Sequence, residues 1–295
     1  MNADDSAVNF PGYPGKHTLP PVMKASDRLA RVDPSGSLDT LGSVSGAVVV
    51  YQRSLFRSIV AASRSLPAEA WPVGSLHVLS LRGRTFAVCG DFGFGAPTAA
   101  LVVEYLAACG VQRVITVGTA GSLHPECAPG QVIVCTGALR DEGTSYHYTP
   151  PDSPALPSPE LTASLTAHLR QDVPSLSEGL TWTTDAPQRE TLAEVAHYRR
   201  KGVLSVEMEA SAVFSVASCR GIDAAAAFAV SDLVNGRRWE QFFGSREVRG
   251  GLARVFAAAS RVLTDPHRSN DTEVLGGSHD GTLPEPLDPG LRNPA

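Results

Sequence analysis

Between residues 46 and 264 the chain alternates short, continuous apolar runs with stretches whose apolar residues recur every three or four positions. The first pattern belongs to strands and the second to amphipathic helices. Strands are predicted at 47–50, 85–89, 113–117, 131–136, 180–183, 203–208 and 225–230. Helices are predicted at 54–65, 98–108, 159–171, 192–200, 209–220 and 245–263. Gly110 and Gly221 follow two of these helices, where a glycine accepts the left-handed backbone of a helix end. Several strands are apolar at every position, which means cover on both faces. The expected fold is a single α/β domain with a twisted mixed central sheet flanked by helices.

Outside this span the pattern fades. Residues 1–45 are rich in Pro, Gly, Ser and Asp, and 265–295 are polar with Pro284, Pro286, Pro289 and Pro294. Both ends read as loose arms around a domain at 46–264. A hydrophobic fraction of 43% over 295 residues supplies a large core. The net charge of −5 gives no basic face for nucleic acid. The five cysteines, Cys89, Cys109, Cys127, Cys135 and Cys219, form no CxxC pair and read as packed, reduced thiols rather than disulfides or zinc ligands. No apolar run approaches the ~18 residues a bilayer span needs. The start, MNADDSAVNFPGYPGKH, is acidic and broken by Pro and Gly, unlike a signal peptide. These features predict a soluble cytoplasmic protein with no membrane partner, no metal and no cofactor.

In open α/β sheets ligands bind beyond the carboxyl ends of the strands. Those ends carry polar or glycine-rich sequence one after another: GDFGFGAPTAA at 90–100, GTAG at 118–121, GALRDEGTSYHY at 137–148, TDAPQRE at 184–190, EMEA at 207–210 and SD at 231–232. Gly93 and Gly95 lead into a helix whose N-terminus favours an anion, and the alternative is a tight packing turn. Thr119 offers a hydroxyl to an oxyanion or a sugar. Glu209 has two readings. It caps the helix that starts beside it, or its carboxylate accepts from two neighbouring hydroxyls such as the 2′ and 3′ hydroxyls of ribose, with Met208 as an apolar wall. Asp232 likewise is a turn cap or an acid that protonates a leaving base.

The stretches VEMEASAVFSVA, GTAG, GFGAPTAA, RDEGTS, TDAPQRET and AVSD resemble, in order, the nucleoside phosphorylase family that includes uridine phosphorylase, purine nucleoside phosphorylase and the methylthioadenosine and S-adenosylhomocysteine nucleosidases. The resemblance covers about 46 to 264. It implies cleavage of a nucleoside N-glycosidic bond in a homo-oligomer of two, three or six subunits. It implies that Glu207, Met208 and Glu209 bind ribose, that Thr119, Ala120 and Gly121 lie between base, sugar and phosphate, and that Asp232 meets the base. Gln188 and Arg189 stand near the uracil-binding pair of uridine phosphorylases, with Pro187 where an aromatic would stack. His17 is the candidate for a 5′-hydroxyl contact from a neighbouring subunit.

The phosphate half departs from the family pattern. Gln52-Arg53-Ser54 replaces a Gly-Asp-Pro turn, and Phe56, Thr116 and Val78 stand where the family places phosphate arginines. The expected phosphate ligands are therefore Gly95, Thr119 and Arg53, with Arg57 as a further cation. Phosphorolysis is the first expectation. Hydrolysis by water is the alternative, although Tyr51–Phe56 holds no acid of the kind nucleosidases use. A non-catalytic nucleoside-binding protein is a third reading.

Overall fold

The structure, a computed structural model, describes residues 13, 15–234 and 239–265. All but the first residue of the expected C-terminal tail lies outside them. Ten strands form one sheet: β1 Ala47–Val50, β2 Leu66–Pro67, β3 Ser75–Leu81, β4 Arg84–Gly90, β5 Arg113–Ser122, β6 Val132–Asp141, β7 Ser177–Thr184, β8 Val203–Glu207, β9 Asp223–Leu233 and β10 Glu240–Gln241. Seven α-helices accompany them among the described residues: α1 Ala25–Val32, α2 Arg53–Ala62, α3 Ala96–Ala108, α4 Pro159–Asp172, α5 Leu192–Arg200, α6 Ala210–Arg220 and α7 Arg246–Thr264. The mixed α/β architecture is the one expected. Among the described residues no helix is long and apolar enough to cross a membrane.

The continuous apolar runs are two-faced, as their composition requires. In β1, Ala47 and Val49 enter a cluster with residues of α3 and α6, while Val48 and Val50 enter one with residues of α2, α4 and α7. The alanine-rich β9 divides in the same way: Ala224 and Ala226 face the first cluster, and Ala225, Ala227 and Ala229 the second. Alternation of successive side chains across the sheet is the cause.

The sheet does not stay open. Strand β9 pairs with β5 in parallel and with β6 antiparallel, and β6 continues through β7 and β8 back to β5. Five strands thus close on themselves. The closure brings carboxyl ends together: Gly121 near the end of β5 pairs antiparallel with Val206 of β8 and also stands opposite Asp232 of β9.

This geometry corrects two expectations. The GTAG stretch, expected beyond a strand end, lies within β5 because that strand continues through Ser122 to pair with β8 and β9. Its glycines serve close approach. A Cβ on Gly118 would lie 3.0 Å from the Tyr51 ring, and one on Gly121 would lie 3.0 Å from an Asp232 oxygen. Part of the expected N-terminal arm is also structured. Helix α1 buries Leu29, and the 3₁₀ segment Ser37–Ser43 buries Leu38 and Leu41 in the α3/α6 cluster. Asp33 anchors that segment by accepting from Ser35, Ser37 and the Leu38 amide.

Candidate active site

The two acids of the EMEA stretch do different work. Glu207, the last residue of β8, is buried. Its Oε2 accepts from the backbone amides of Glu209 and Ala210 at 2.8 and 2.7 Å, and its Oε1 accepts from Thr183 Oγ1 at 2.5 Å. Glu207 is therefore the side chain that satisfies the amino end of α6. Glu209 occupies the N-cap position yet makes no side-chain cap bond, so the cap reading of Glu209 passes to its neighbour. The Glu209 carboxylate turns instead toward the glycine loop, where Oε1 accepts from the Gly95 amide at 2.5 Å. It too is buried, and Met208 between the two acids is half-buried.

Burial and the closeness of two carboxylates raise the proton affinity of this pair well above the usual range. Burial, Glu209 and Glu207 likewise hold the adjacent Tyr51 protonated. The sign of the linkage follows. A carboxyl whose proton affinity is higher when folded stabilises the fold fully below its unfolded pKa, and that stability is lost as pH rises through the folded value. The thermal midpoint of the free protein is expected to fall as pH rises from about 5 to about 8, and to fall less steeply in Glu209→Gln. Scanning calorimetry over that range checks this. Identical slopes in the two proteins would remove the pair as the cause.

Asp232, inside β9, is buried with both oxygens engaged: Oδ1 accepts from Ser231 Oγ at 2.7 Å and Oδ2 from Trp239 Nε1 at 2.8 Å. The Trp239 indole places an N–H on this carboxylate, the type of group a protonated base would supply. Thr119 accepts from Gln52 Nε2 at 2.9 Å, which ties β5 to the loop after β1. Ala120 is buried, and its carbonyl accepts from Ser231 Oγ.

The expected phosphate ligands are all engaged within the chain. Gly95 donates to Glu209 and Thr119 bonds Gln52. Arg53 Nε lies 2.5 Å from Asp91 Oδ1, with Arg57 Nη2 3.2 Å from Asp91 Oδ2. Against the cost of partial burial, the hydrogen bond from Arg57 and the two positive charges hold Asp91 below the usual carboxylate range. Asp91 adopts a left-handed φ of 61°, uncommon for a residue other than glycine. The three substituted arginine positions supply no cation. Phe56 is buried against Gly90 with its ring edge-on to His77, Thr116 is buried in β5, and Val78 sits in β3.

Beyond β6 and β7 lies a cleft of about 390 Å³. Its walls include Tyr146, Trp182, Glu142, Arg189 and Glu190. Side-chain bonds tie its wall to the acid pair's surroundings: Glu142 of the wall accepts from Ser211 Oγ in the first turn of α6, and Thr183, between the wall residues Trp182 and Thr184, bonds Glu207. Arg189 lines this cleft, whereas Gln188, one residue before it in the 3₁₀ turn Pro187–Arg189, is exposed and does not. His17 sits in another 3₁₀ turn, Lys16–Thr18, whose Lys16 bonds His147 of the same chain at 2.5 Å. Among the described residues it does not join the other site residues within the chain.

Sequence reasoning missed Asp91, Trp239 and Glu190. Asp91 was visible as an acid at the head of a glycine loop, and Glu190 as an acid beside the Gln188-Arg189 pair. What each touches depends on tertiary contacts.

Residues 71–264 match the sequence model of the Phosphorylase superfamily. The chain is 32% identical to guanosine phosphorylase of Halorubrum lacusprofundi over 147 residues, which is 50% of this chain and 61% of that protein. It is 27% identical to uridine phosphorylase of Escherichia coli over 158 residues, 49% of this chain and 62% of that protein. These matches span less than two thirds of each relative's length. The crystal structure of uridine phosphorylase from Vibrio fischeri superposes with a TM-score of 0.64 at 25% identity, covering 76% of this chain and 92% of that one. With the family model covering most of the folded region and the fold shared with a solved member, the chain belongs to the Phosphorylase superfamily.

Proposed function

We propose that this protein is an enzyme that cleaves the N-glycosidic bond of a nucleoside, with inorganic phosphate as the nucleophile, giving free base and pentose 1-phosphate. The observation that carries this reading is Glu209: a buried carboxylate, relieved of helix capping by Glu207, facing the glycine loop at the end of a strand. On this reading the sugar hydroxyls donate to Glu209, with Met208 against the pentose and Thr119 to Gly121 along its other side. As the bond to C1′ stretches, positive charge grows on the sugar ring, and the carboxylate beneath it favours that charge. The base departs toward Asp232, which would exchange the Trp239 N–H for one on the base. Arg189 holds the base from the cleft. The names of the relatives, guanosine and uridine phosphorylase, support the same reaction class.

The convergence of Arg53 and Arg57 on one carboxylate supports phosphate. Two guanidinium groups arranged around an anion are what phosphate requires, and Asp91 would yield its place to it. We assign the reaction to a homo-oligomer in which His17 serves the 5′-hydroxyl of an adjacent copy. The exposed Phe94 on the glycine loop supports a partner surface there.

The same ion pair favours a second reading, hydrolysis, because Asp91 already fills the anion seat. Product analysis with and without phosphate separates the two. Phosphorolysis stops without phosphate and yields pentose 1-phosphate, whereas hydrolysis continues and yields free pentose. If phosphate is the nucleophile, Asp91→Ala frees both arginines and lowers the KM for phosphate by roughly tenfold. A rate indifferent to phosphate in both proteins would reject phosphorolysis.

A further inference from the structure

Tyr51 follows β1 and packs against the α3/α6 cluster. Its amide donates to the Val117 carbonyl at 3.2 Å, and its ring lies against Gly118. The Phe92 ring of the glycine loop meets it edge-on, with 5.8 Å between centroids. Strand β5 and the glycine loop thus fix the ring. The phenol oxygen is buried and, among the described residues, has no hydrogen-bond partner, although the Thr116 side chain lies beside it. A buried hydroxyl left unpaired costs free energy. Packing alone would favour phenylalanine at this position.

The charges that act on the phenol are those of the acid pair, Glu209 first and then Glu207. Glu207 is satisfied by Thr183 and two backbone amides. Glu209 accepts from the Gly95 amide, and an ionised carboxylate can accept about four hydrogen bonds. The other titratable groups around the pair are committed elsewhere. Glu142 accepts from Ser211 and the amides of Thr144 and Ser145, and Cys135 gives its S–H to the Gly137 carbonyl. Asp91 on the glycine loop is paired with Arg53 and Arg57. The Tyr51 phenol is a donor with no acceptor, next to an acid that has acceptor capacity to spare.

We infer that Tyr51 is a positioning residue for Glu209: its phenol donates to the Glu209 carboxylate once that group is ionised and holds it in the form that accepts the sugar hydroxyls. Burial and the Glu207 charge favour the protonated acid, which is the wrong form for a diol acceptor. A donor that bonds only the ion works against both. Tyr51 itself stays protonated, so it serves as a donor over the whole working range of pH. The sign follows. A hydrogen bond to the ionised form lowers the proton affinity of Glu209, and removing the phenol raises it.

Tyr51→Phe keeps the ring against Gly118 and Phe92 and removes only the oxygen. For a nucleoside that is cleaved, kcat/KM should rise with pH as Glu209 ionises. In Tyr51→Phe this acid limb should move up by about one pH unit, which is about a tenfold loss on the limb that shrinks toward high pH. The thermal midpoint should stay or rise, because an unpaired buried hydroxyl has gone. A limb that does not move, or a loss uniform across pH, would overturn the role. The kinetic arm rests on the nucleoside-cleavage reading above, and a second measurement does not. Carbon-13 NMR of the glutamate carboxyls in the free protein, with Glu209→Gln to identify the resonance, follows the ionisation directly. A titration about one unit higher in Tyr51→Phe supports the role even if no nucleoside is cleaved, in which case only the proposed reaction fails. An unmoved titration contradicts the role even where cleavage is normal.

Discussion

Glu209→Ala is expected to lower kcat/KM by at least about a hundredfold for every nucleoside the enzyme cleaves. The carboxylate is buried and accepts from the Gly95 amide. It stands between the glycine loop, through Gly95, and the start of α6. An acid held in a dry site acts more strongly on developing charge than one in water. On the proposed reading, removing it takes away both the diol contacts and the negative field under the sugar. A 2′-deoxynucleoside provides the internal control. It should be a poorer substrate than its ribonucleoside for the wild type, and the difference should largely vanish in Glu209→Ala, as coupled groups require. An unchanged rate in a folded variant would sink the sugar-clamp assignment.

Glu207→Ala should act on the fold. The substitution strands three buried donors, Thr183 Oγ1 and the amides of Glu209 and Ala210. A buried donor left unsatisfied costs about 1–3 kcal/mol, so a total loss of about 3–5 kcal/mol is expected, short of simple addition because the helix end can relax. Part of this is offset because the buried, repelled carboxyl is also removed. Urea denaturation reads the loss. Glu207→Gln, which keeps an acceptor oxygen, should lie between wild type and Ala. A midpoint that does not move in Glu207→Ala would show that α6 draws its start from elsewhere.

What could be read from the sequence depended on whether local signals agreed with the tertiary structure. Strand β1 and helix α5 stand where the pattern put them, β1 as a fully apolar run and α5 behind the Thr191–Glu194 capping box. Strand β3 was missed because SLHVLSL mixes His and Ser into its apolar positions. The Arg82-Gly83 turn, with φ of 53° and 78°, folds it onto β4. The GTAG segment reads as a loop in isolation, since only the closing of five strands gives its glycines a reason to lie in a strand. Helix α1 was hidden because a single residue, Leu29, reaches the core from an otherwise polar segment.

The site follows the same division. Which residue types would gather at the strand ends was legible, because strand ends and ligand chemistry are local features. The partition of labour between Glu207 and Glu209 was not, since it depends on Thr183 from β7 and Gly95 from the loop before α3. Nor was the capture of Arg53 by Asp91, a residue far along the chain whose left-handed backbone turns it toward α2. The missing arginines were visible as substitutions, whereas the carboxylate seated between the remaining cations became visible only in three dimensions.

The central claim is that the Glu209 site breaks nucleoside N-glycosidic bonds. The most direct measurement is base release, followed by liquid chromatography, from a panel of purine and pyrimidine nucleosides with and without saturating phosphate, using wild type and Glu209→Ala side by side. The account predicts free base from at least one nucleoside with the wild type and loss of nearly all of it with the variant. Absence of base from every nucleoside under both conditions, or equal release by the two proteins, would contradict it.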